Sequence, residues 1–195
     1  KINSGTLYNL FYEQFNGADY SEPNSELYSH NYSGGITPPH IYNNKLRITA
    51  DPDNTNTIVT LKPTLVGDFD VCINMDLISG FNGNSWNVKL VALVDANNAV
   101  TIGRICDSTG HQIITESVVG GAYNSYLVAS SAVNYLFRIR RTGSTVYTYY
   151  KTSQTSQWTL HRQITSFSTS NMTLRLEAVL FADMVLSSFA IADFD

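Results

Sequence analysis

The sequence has few charged residues and only two cysteines. Charged side chains make up 14% of the 195 residues, against roughly 25% in an average soluble domain, and the net charge is −4 at pH 7. Because basic residues are not in excess, the chain lacks the positive charge that is typical of nucleic-acid-binding proteins. Cys72 and Cys106 are too few for a disulfide framework, so they are either free thiols or one bridge. No CxxC or Cys/His cluster accompanies them to mark a metal site.

Long apolar runs and helical periodicity are also missing. No run approaches the roughly 18 apolar residues that a membrane-spanning helix needs, and no long segment repeats its apolar residues every 3.6 positions. Hydrophobic residues nevertheless make up 43% of the chain, with 12 Tyr and 9 Phe, which excludes intrinsic disorder. Abundant Asn, Ser and Thr beside these aromatics favour strands and turns over helices. We therefore expect one β-rich domain covering residues 1–195.

Alternation of apolar and polar residues is the dominant pattern. In its clearest case Phe69, Val71, Ile73, Met75 and Leu77 point to one face and polar residues to the other, which predicts a half-buried strand with an apolar core face. Related patterns predict further strands at 45–49, 57–61, 86–95, 99–106, 111–119, 135–141, 145–152, 158–164, 172–181 and 186–193. The double glycine at 120–121 is predicted to open a polar loop over 122–131.

The first 44 residues are less regular. A strand is predicted at 11–15, and the proline- and glycine-containing stretch 21–40 is predicted to be a long irregular excursion within the domain. The sequence begins at Lys1 without a signal-peptide pattern, so we expect a processed chain or part of a larger protein. Turns every 8–12 residues along the remainder are typical of a β-sandwich or barrel.

Three stretches carry a family resemblance, and one of them, the closing 174–181 and 189–194, looks like the last two strands of the family. Val91–Arg104 resembles the hairpin "apolar strand, Asp-x-x-Asn-x-Val, strand, Arg" of concanavalin A-like (laminin-G-like) jelly rolls, which include the C-terminal domain of many β-xylosidases. Tyr135–Tyr150, followed by Gln157-Trp158, is similar to the "Leu-Arg-Ile-x-Arg-x-Gly … Tyr-Tyr … Trp" double hairpin of that family. The resemblance implies an all-β, two-sheet antiparallel jelly-roll sandwich, concanavalin A-like, with negligible helix.

The same resemblance implies a structural calcium. Many domains of this family hold the ion where the terminal strands meet. Asn16, Asp19, Asp193 and Asp195 are the oxygen-bearing residues that could be brought together there. No EF-hand loop is present, so calcium is an expectation from the family alone.

Glycoside hydrolysis is the first chemistry to test, because several families with this fold are glycosidases. The glucanases of the fold use a strand reading Glu-x-Asp-x-x-Glu, and nothing here matches it. Asp68 and Asp70 have the i, i+2 spacing, but Asp68 is predicted to be a turn residue. Glu177 shares its strand face with Arg175, which favours an ion pair. The polar strand faces are expected to be solvated, although opposite charges can pair where strands adjoin: Asp70, Asp76, Arg138, Arg140, Arg175 and Glu177.

Other catalytic groups are equally hard to find. No GxSxG motif exists, and no histidine has a flanking acid. His111-Gln112 and His161-Arg162-Gln163 offer groups for lyase chemistry, but no tyrosine partner can be assigned. We therefore expect no catalytic residues and no enzyme activity.

Glycan binding is the more plausible chemistry from the sequence. Trp86 follows the polar stretch 80–85, and Tyr123 and Tyr126 lie in the predicted loop 120–131. Aromatic faces in polar loops can stack on sugar rings, so these three residues are the predicted carbohydrate-binding site. The alternative is that each ring is a loop anchor buried against the sandwich.

The expected function is a non-catalytic carbohydrate-recognition or accessory module, lectin-like, of a larger secreted or surface protein. Its expected partners are a glycan or polysaccharide and other domains of the parent chain, with no nucleic acid and no membrane span. One alternative is a structural or receptor-binding domain of a viral tail, fibre or adhesin, and a second is a glycan-active hydrolase or lyase. The expected location is extracellular, at a cell surface or on a virion.

Overall fold

A computed structural model describes residues 15, 17–32, 38–50, 56–79, 86–180 and 190–194. These residues form fourteen strands and no helix. The strands are β1 (Tyr28–Tyr32), β2 (His40–Tyr42), β3 (Lys45–Ala50), β4 (Asn56–Leu61), β5 (Phe69–Ser79), β6 (Trp86–Asp95), β7 (Asn98–Asp107), β8 (Gly110–Val119), β9 (Ala122–Ala129), β10 (Asn134–Thr142), β11 (Thr145–Lys151), β12 (Thr159–Ile164), β13 (Thr173–Leu180) and β14 (Ala190–Phe194).

The strands form two seven-stranded sheets. The first sheet has the order β1-β4-β13-β6-β7-β8-β9, and the second has the order β12-β11-β10-β5-β14-β3-β2. Every strand pairing within them is antiparallel. The predicted two-sheet antiparallel jelly-roll sandwich is therefore confirmed.

The core lies between the two sheets and is built by the alternation seen in the sequence. On β5, Phe69, Met75 and Leu77 are buried, while Val71 and Ile73 are half-buried and pack against the same core. Facing them, every second residue of the central strands of the first sheet is fully buried, as at Val88, Ala92, Val100, Ile102 and Ile113. The remaining residues of these strands point to the outer face of the sandwich.

Two segments predicted to be irregular contain strand residues. Within 21–40, β1 joins the edge of the first sheet by pairing with β4, and β2, which begins at His40, joins the second sheet by pairing with β3. The predicted loop 122–131 contains β9, which pairs with β8 over its whole length. β9 lacks the alternation of apolar and polar residues because it is an edge strand with nearly all of its side chains exposed. The predicted strand 11–15 lies outside the described residues except for the buried Phe15.

Both cysteines are free thiols, Cys72 exposed and Cys106 buried. Among the described residues, no helix is long and apolar enough to cross a membrane.

Candidate functional site

A tight hairpin brings Tyr123 next to Glu116. Gly120 and Gly121 have φ values of 57° and 85°, and two consecutive residues with positive φ are the signature of a type I′ turn. This turn sets the β8–β9 register, in which Val118 faces Tyr123 and Glu116 faces Ser125. Tyr123 and Glu116 are therefore diagonal neighbours on the same outer face, within reach of a long aromatic side chain.

Glu116 is the centre of a polar cluster on that face. Its Oε1 accepts a hydrogen bond from the Tyr123 hydroxyl at 2.8 Å. Its Oε2 lies 2.8 Å from the Lys89 ammonium and 3.3 Å from the Thr101 hydroxyl. Each carboxylate oxygen thus has a partner, and the three partners come from three different strands. We call Lys89, Thr101, Glu116 and Tyr123 the Glu116 cluster.

The surroundings keep the carboxylate ionised and the phenol protonated. Burial raises the pKa of Glu116, but the charge of Lys89 and the hydrogen bonds from Lys89, Tyr123 and Thr101 outweigh it, so the net pKa lies below its ordinary value. Burial, and then the hydrogen bond to Glu116, raises the pKa of Tyr123. At neutral pH the pair consists of a proton acceptor and a proton donor in direct contact.

A glycine lets Lys89 reach across the sheet. Gly103 on β7 faces Lys89 on β6, and a Cβ at position 103 would lie 2.9 Å from the Lys89 Cγ. The missing side chain leaves space for the lysine stem, whose ammonium continues to Glu116 on β8. The sheet surface beside the cluster is covered by neighbouring side chains, since the outward-facing Val91 and Ile114 are each only 4% exposed.

Arg175 and Glu177 on β13 occupy the same outer face. Glu177 faces Lys89 and Arg175 faces Val91, but the expected ion pair between Arg175 and Glu177 is not among the contacts of the described residues. The Arg175 Nε is buried without a hydrogen-bond partner. Glu177 is separated from Glu116 by three inter-strand steps, about 14 Å across the sheet. That exceeds the roughly 5–9.5 Å between the two carboxyl groups of most glycosidases.

The three predicted carbohydrate-binding aromatics do not form one site. Trp86 is the first residue of β6 rather than a loop residue, and it is 0% exposed. It belongs to the core, as the alternative interpretation expected, because its position on β6 points inward. Tyr126 is 41% exposed but points to the other side of β9, where its ring lies 4.9 Å from that of His161. Tyr123 is 60% exposed and belongs to the Glu116 cluster.

The predicted calcium ligands lie mostly outside the described side chains. Asn16 and Asp195 are outside the described residues, and of Asp193 only the backbone is described. The remaining ligand, Asp19, is exposed and accepts a hydrogen bond from the Asn43 backbone at 2.9 Å, so one of its oxygens stabilises a turn. Within the described part of the chain, no group of three His, Cys, Asp or Glu residues is arranged to hold a metal.

A cross-strand ion pair lies on the outer face of the second sheet. Asp70 on β5 and Arg138 on β10 form an ion pair with two hydrogen bonds. The Arg138 guanidinium also lies 5.3 Å from the centre of the Tyr149 ring and 5.5 Å from that of Trp158.

Comparisons with known proteins relate this fold to carbohydrate-active enzymes. The chain matches no protein-family model and no curated protein. It is similar to a structure described with endo-acting O-glycanases of the human gut microbiota, at 10% identity and a TM-score of 0.72, over 95% of this chain and 96% of that one. It is similar to LamA from Zobellia galactanivorans in complex with laminaritriose and laminaritetraose, at 11% identity and a TM-score of 0.68, over 95% of each chain.

A third similar structure is the GH43 BlXynB protein from Bacillus licheniformis. The identity is 14% and the TM-score 0.58, over 77% of this chain and 32% of that one. At these identities the comparisons establish the fold, a β-sandwich of the concanavalin A-like type found in glycoside hydrolases. They do not single out a lectin or the C-terminal domain of β-xylosidases.

The expectation of a non-catalytic module without enzyme activity is contradicted by these neighbours. They include the LamAcat structure from Zobellia galactanivorans, a glycosyl hydrolase family protein from Mycobacterium fortuitum and the O-glycanases. The physical reason for the error is that the missing Glu-x-Asp-x-x-Glu strand excludes only one arrangement of catalytic groups. Catalytic groups that come from several strands leave no such linear motif.

Sequence reasoning missed Lys89 and Glu116, and it placed Tyr123 in a loop. One signal in the sequence could have found the contact between Tyr123 and Glu116. A two-residue Gly-Gly connection between apolar stretches is a hairpin signature, and such a hairpin fixes Tyr123 opposite Val118. Tyr123 then falls on the same face as Glu116.

Proposed function

We propose that the protein is a glycan-active hydrolase whose saccharide lies over the outer face of the first sheet, at the Glu116 cluster. The observation that carries this proposal is the 2.8 Å hydrogen bond from Tyr123 to a Glu116 carboxylate that Lys89 and Thr101 orient. A nucleophile within about 2.6–3.2 Å of its base, with the base oriented by a third group, is the general signature of an activated nucleophile. The fold relationship to glycoside hydrolases supports the same class of chemistry.

Tyr123 is the proposed nucleophile and Glu116 its base. Tyrosine nucleophiles are an established exception to the two-carboxylate rule of glycosidases, and the exception is relevant here because Glu177 is three strands away from Glu116. The raised pKa of Tyr123 means that its proton must leave as the new bond forms, since the free phenolate is disfavoured. Glu116, ionised and in contact, is placed to take that proton.

The reaction has two steps. The Tyr123 oxygen attacks the anomeric carbon, and its proton passes to Glu116 and on through solvent to the departing saccharide oxygen. Water then attacks the anomeric carbon, the glycosyl–tyrosine bond breaks, and the proton released by that water passes through Glu116 to the tyrosine oxygen. The net reaction adds one water across the glycosidic bond. The exposed Tyr123 ring also gives the sugar an apolar face to contact.

The experiment is a hydrolysis assay on a laminarin-type β-glucan and on mucin O-glycans, with released reducing ends as the readout. Tyr123→Phe and Glu116→Gln should each abolish release while leaving the melting temperature within a few degrees. Tyr126→Phe is the matched control, because it removes the same hydroxyl on the same strand but on the other face, and it should retain activity. Mass spectrometry of quenched reactions should find the saccharide on the peptide containing Tyr123.

Three results would overturn the proposal. The first is that neither substrate releases reducing ends, even where the glycan binds. The second is full activity in Tyr123→Phe. The third is equal loss in Tyr126→Phe and Tyr123→Phe, which would mean that the strand, and not the cluster, is what activity requires.

A further inference from the structure

β9 ends the first sheet with an edge that has the properties of a pairing surface. Its sequence, AYNSYLVA, contains no charge and no proline over eight residues. It pairs with β8 continuously from Ala122 to Ala129 with no register shift, and among the described residues no strand pairs with its other edge. Large apolar side chains are exposed on both of its faces, with Tyr126 on one side and Tyr123 and Leu127 on the other.

Two of the other three edge strands described carry devices that discourage pairing. β2 has only three residues. β12 has six residues, includes Arg162, and is interrupted by an irregularity opposite Thr148 and Tyr149. Short edges, charges and bulges are the usual protections against edge-to-edge association. β9 has none of them, and with eight residues it is the longest of the four edge strands described.

We infer that β9 is the interface at which two copies of this chain pair, in an antiparallel arrangement around a two-fold axis. Such an axis places the strand against an identical strand, so each unpaired N–H and C=O along one edge meets its complement on the other. Because β9 is uncharged, no like charges are brought opposite each other, whereas β12 would place Arg162 near its own copy. Nothing on the β9 edge selects a partner of particular charge, which favours the second copy over an acidic or basic peptide.

This arrangement joins the two first sheets into one. The outer faces become continuous across the axis, and Tyr123 of each copy lies on the strand at the junction. The inference stands on the edge itself and does not depend on the hydrolase proposal.

The test is the mass of the protein in solution, measured by sedimentation equilibrium from low to high micromolar concentration. The wild-type chain should shift from 21.6 kDa towards twice that mass. Leu127→Lys should remain a monomer, because pairing would place two new positive charges close to the axis. Leu160→Lys is the matched control: it makes the same exposed substitution on the β12 edge, and its mass should follow that of the wild type.

A charge-swap measurement distinguishes pairing from misfolding. Leu127→Lys and Leu127→Glu should each be monomeric alone and should form a mixed dimer when combined, which unfolded variants cannot do. Hydrogen exchange should show alternate β9 amides gaining protection as the concentration rises. A wild-type chain that stays monomeric at several hundred micromolar would overturn the inference. So would a dimer that Leu127→Lys leaves intact, or monomeric variants that fail to combine.

Discussion

Lys89 and Gly103 approach each other so closely that position 103 has no room for any side chain. A Cβ there would lie 2.7 Å from the Cα of Lys89 and would overlap the Val88 carbonyl oxygen. These are backbone atoms in the middle of a sheet, so they cannot swing aside as the end of a flexible side chain can. The close approach of β6 and β7 at this point depends on glycine.

Gly103→Ala should therefore be destabilising although it adds only one methyl group. We expect a loss of about 1–3 kcal/mol in the free energy of unfolding, the usual cost of overpacking, measured by urea denaturation. Because the substitution displaces Lys89, it should also impair hydrolysis more than its effect on stability explains. An alanine variant as stable as the wild type would show that the two strands are further apart than described.

Trp86 should respond to substitution as a core residue. Trp86→Ala removes a fully buried ring that packs 5.9 Å from the His111 ring, and we expect a loss of about 3–5 kcal/mol. Trp158→Ala is the control, since that ring is half-buried beside Arg138 and Lys151, with a loss of about 1 kcal/mol. Similar melting temperatures for the two variants would contradict the assignment of Trp86 to the core.

His161 should make the protein less stable in mild acid. Its ring is buried, its Nδ1 lies 2.7 Å from the Thr115 hydroxyl, and burial, followed by the nearby charge of Arg162, lowers its pKa to about 4. The unfolded chain binds this proton near the ordinary pKa of 6.5, so between those values unfolding takes up a proton. Stability from the neutral ring is complete above pH 6.5 and is lost as the pH falls towards 4.

The measurement is the free energy of unfolding between pH 4 and 7. His161 should contribute a decline on the order of 3 kcal/mol across that range, and His161→Gln should flatten it. His30→Gln, on edge strand β1, should leave the decline in place. An equal slope in the wild type and His161→Gln would assign the acid sensitivity to other groups.

Lys89 should control the pH dependence of activity. Its ammonium is the main influence that lowers the pKa of Glu116, so the acid limb of kcat/KM should lie below the ordinary glutamate value of 4.5. Lys89→Met removes that charge while keeping an unbranched stem over Gly103. The limb should then move to higher pH, because burial raises the pKa once the lysine is gone. An acid limb that does not move would mean that ionisation of Glu116 does not affect the step that limits the rate.

Much of the fold was predictable because buried faces impose alternation. β6 begins and ends where the sequence predicts, at Trp86 and Asp95, and β5 was recognised from Phe69 onward. The residues of β9 carry no such imprint, since an edge strand exposed on both faces has no reason to alternate. β1 was missed for a similar reason, as it pairs on one side only.

The candidate site was less predictable because it is assembled across strands. Lys89, Glu116 and Tyr123 belong to β6, β8 and β9, and only the register of three hairpins brings them together. The environment of Trp86 was misjudged from its neighbours in the sequence. The polar stretch before it indicated a loop, but burial is decided by the direction in which the first residue of β6 points.

The topology also sets the order in which this molecule can be completed. β13 lies between β4 and β6, and β14 lies between β5 and β3, so the two most C-terminal of the described strands occupy the interior of both sheets. They pair with β4 and β3 across more than a hundred residues of intervening chain, and such non-local pairings slow folding. Until these strands emerge from the ribosome, each sheet is divided into two strips with open apolar edges. A nascent chain stalled before residue 173 would therefore be a substrate for chaperones and proteases, however well its earlier hairpins had formed.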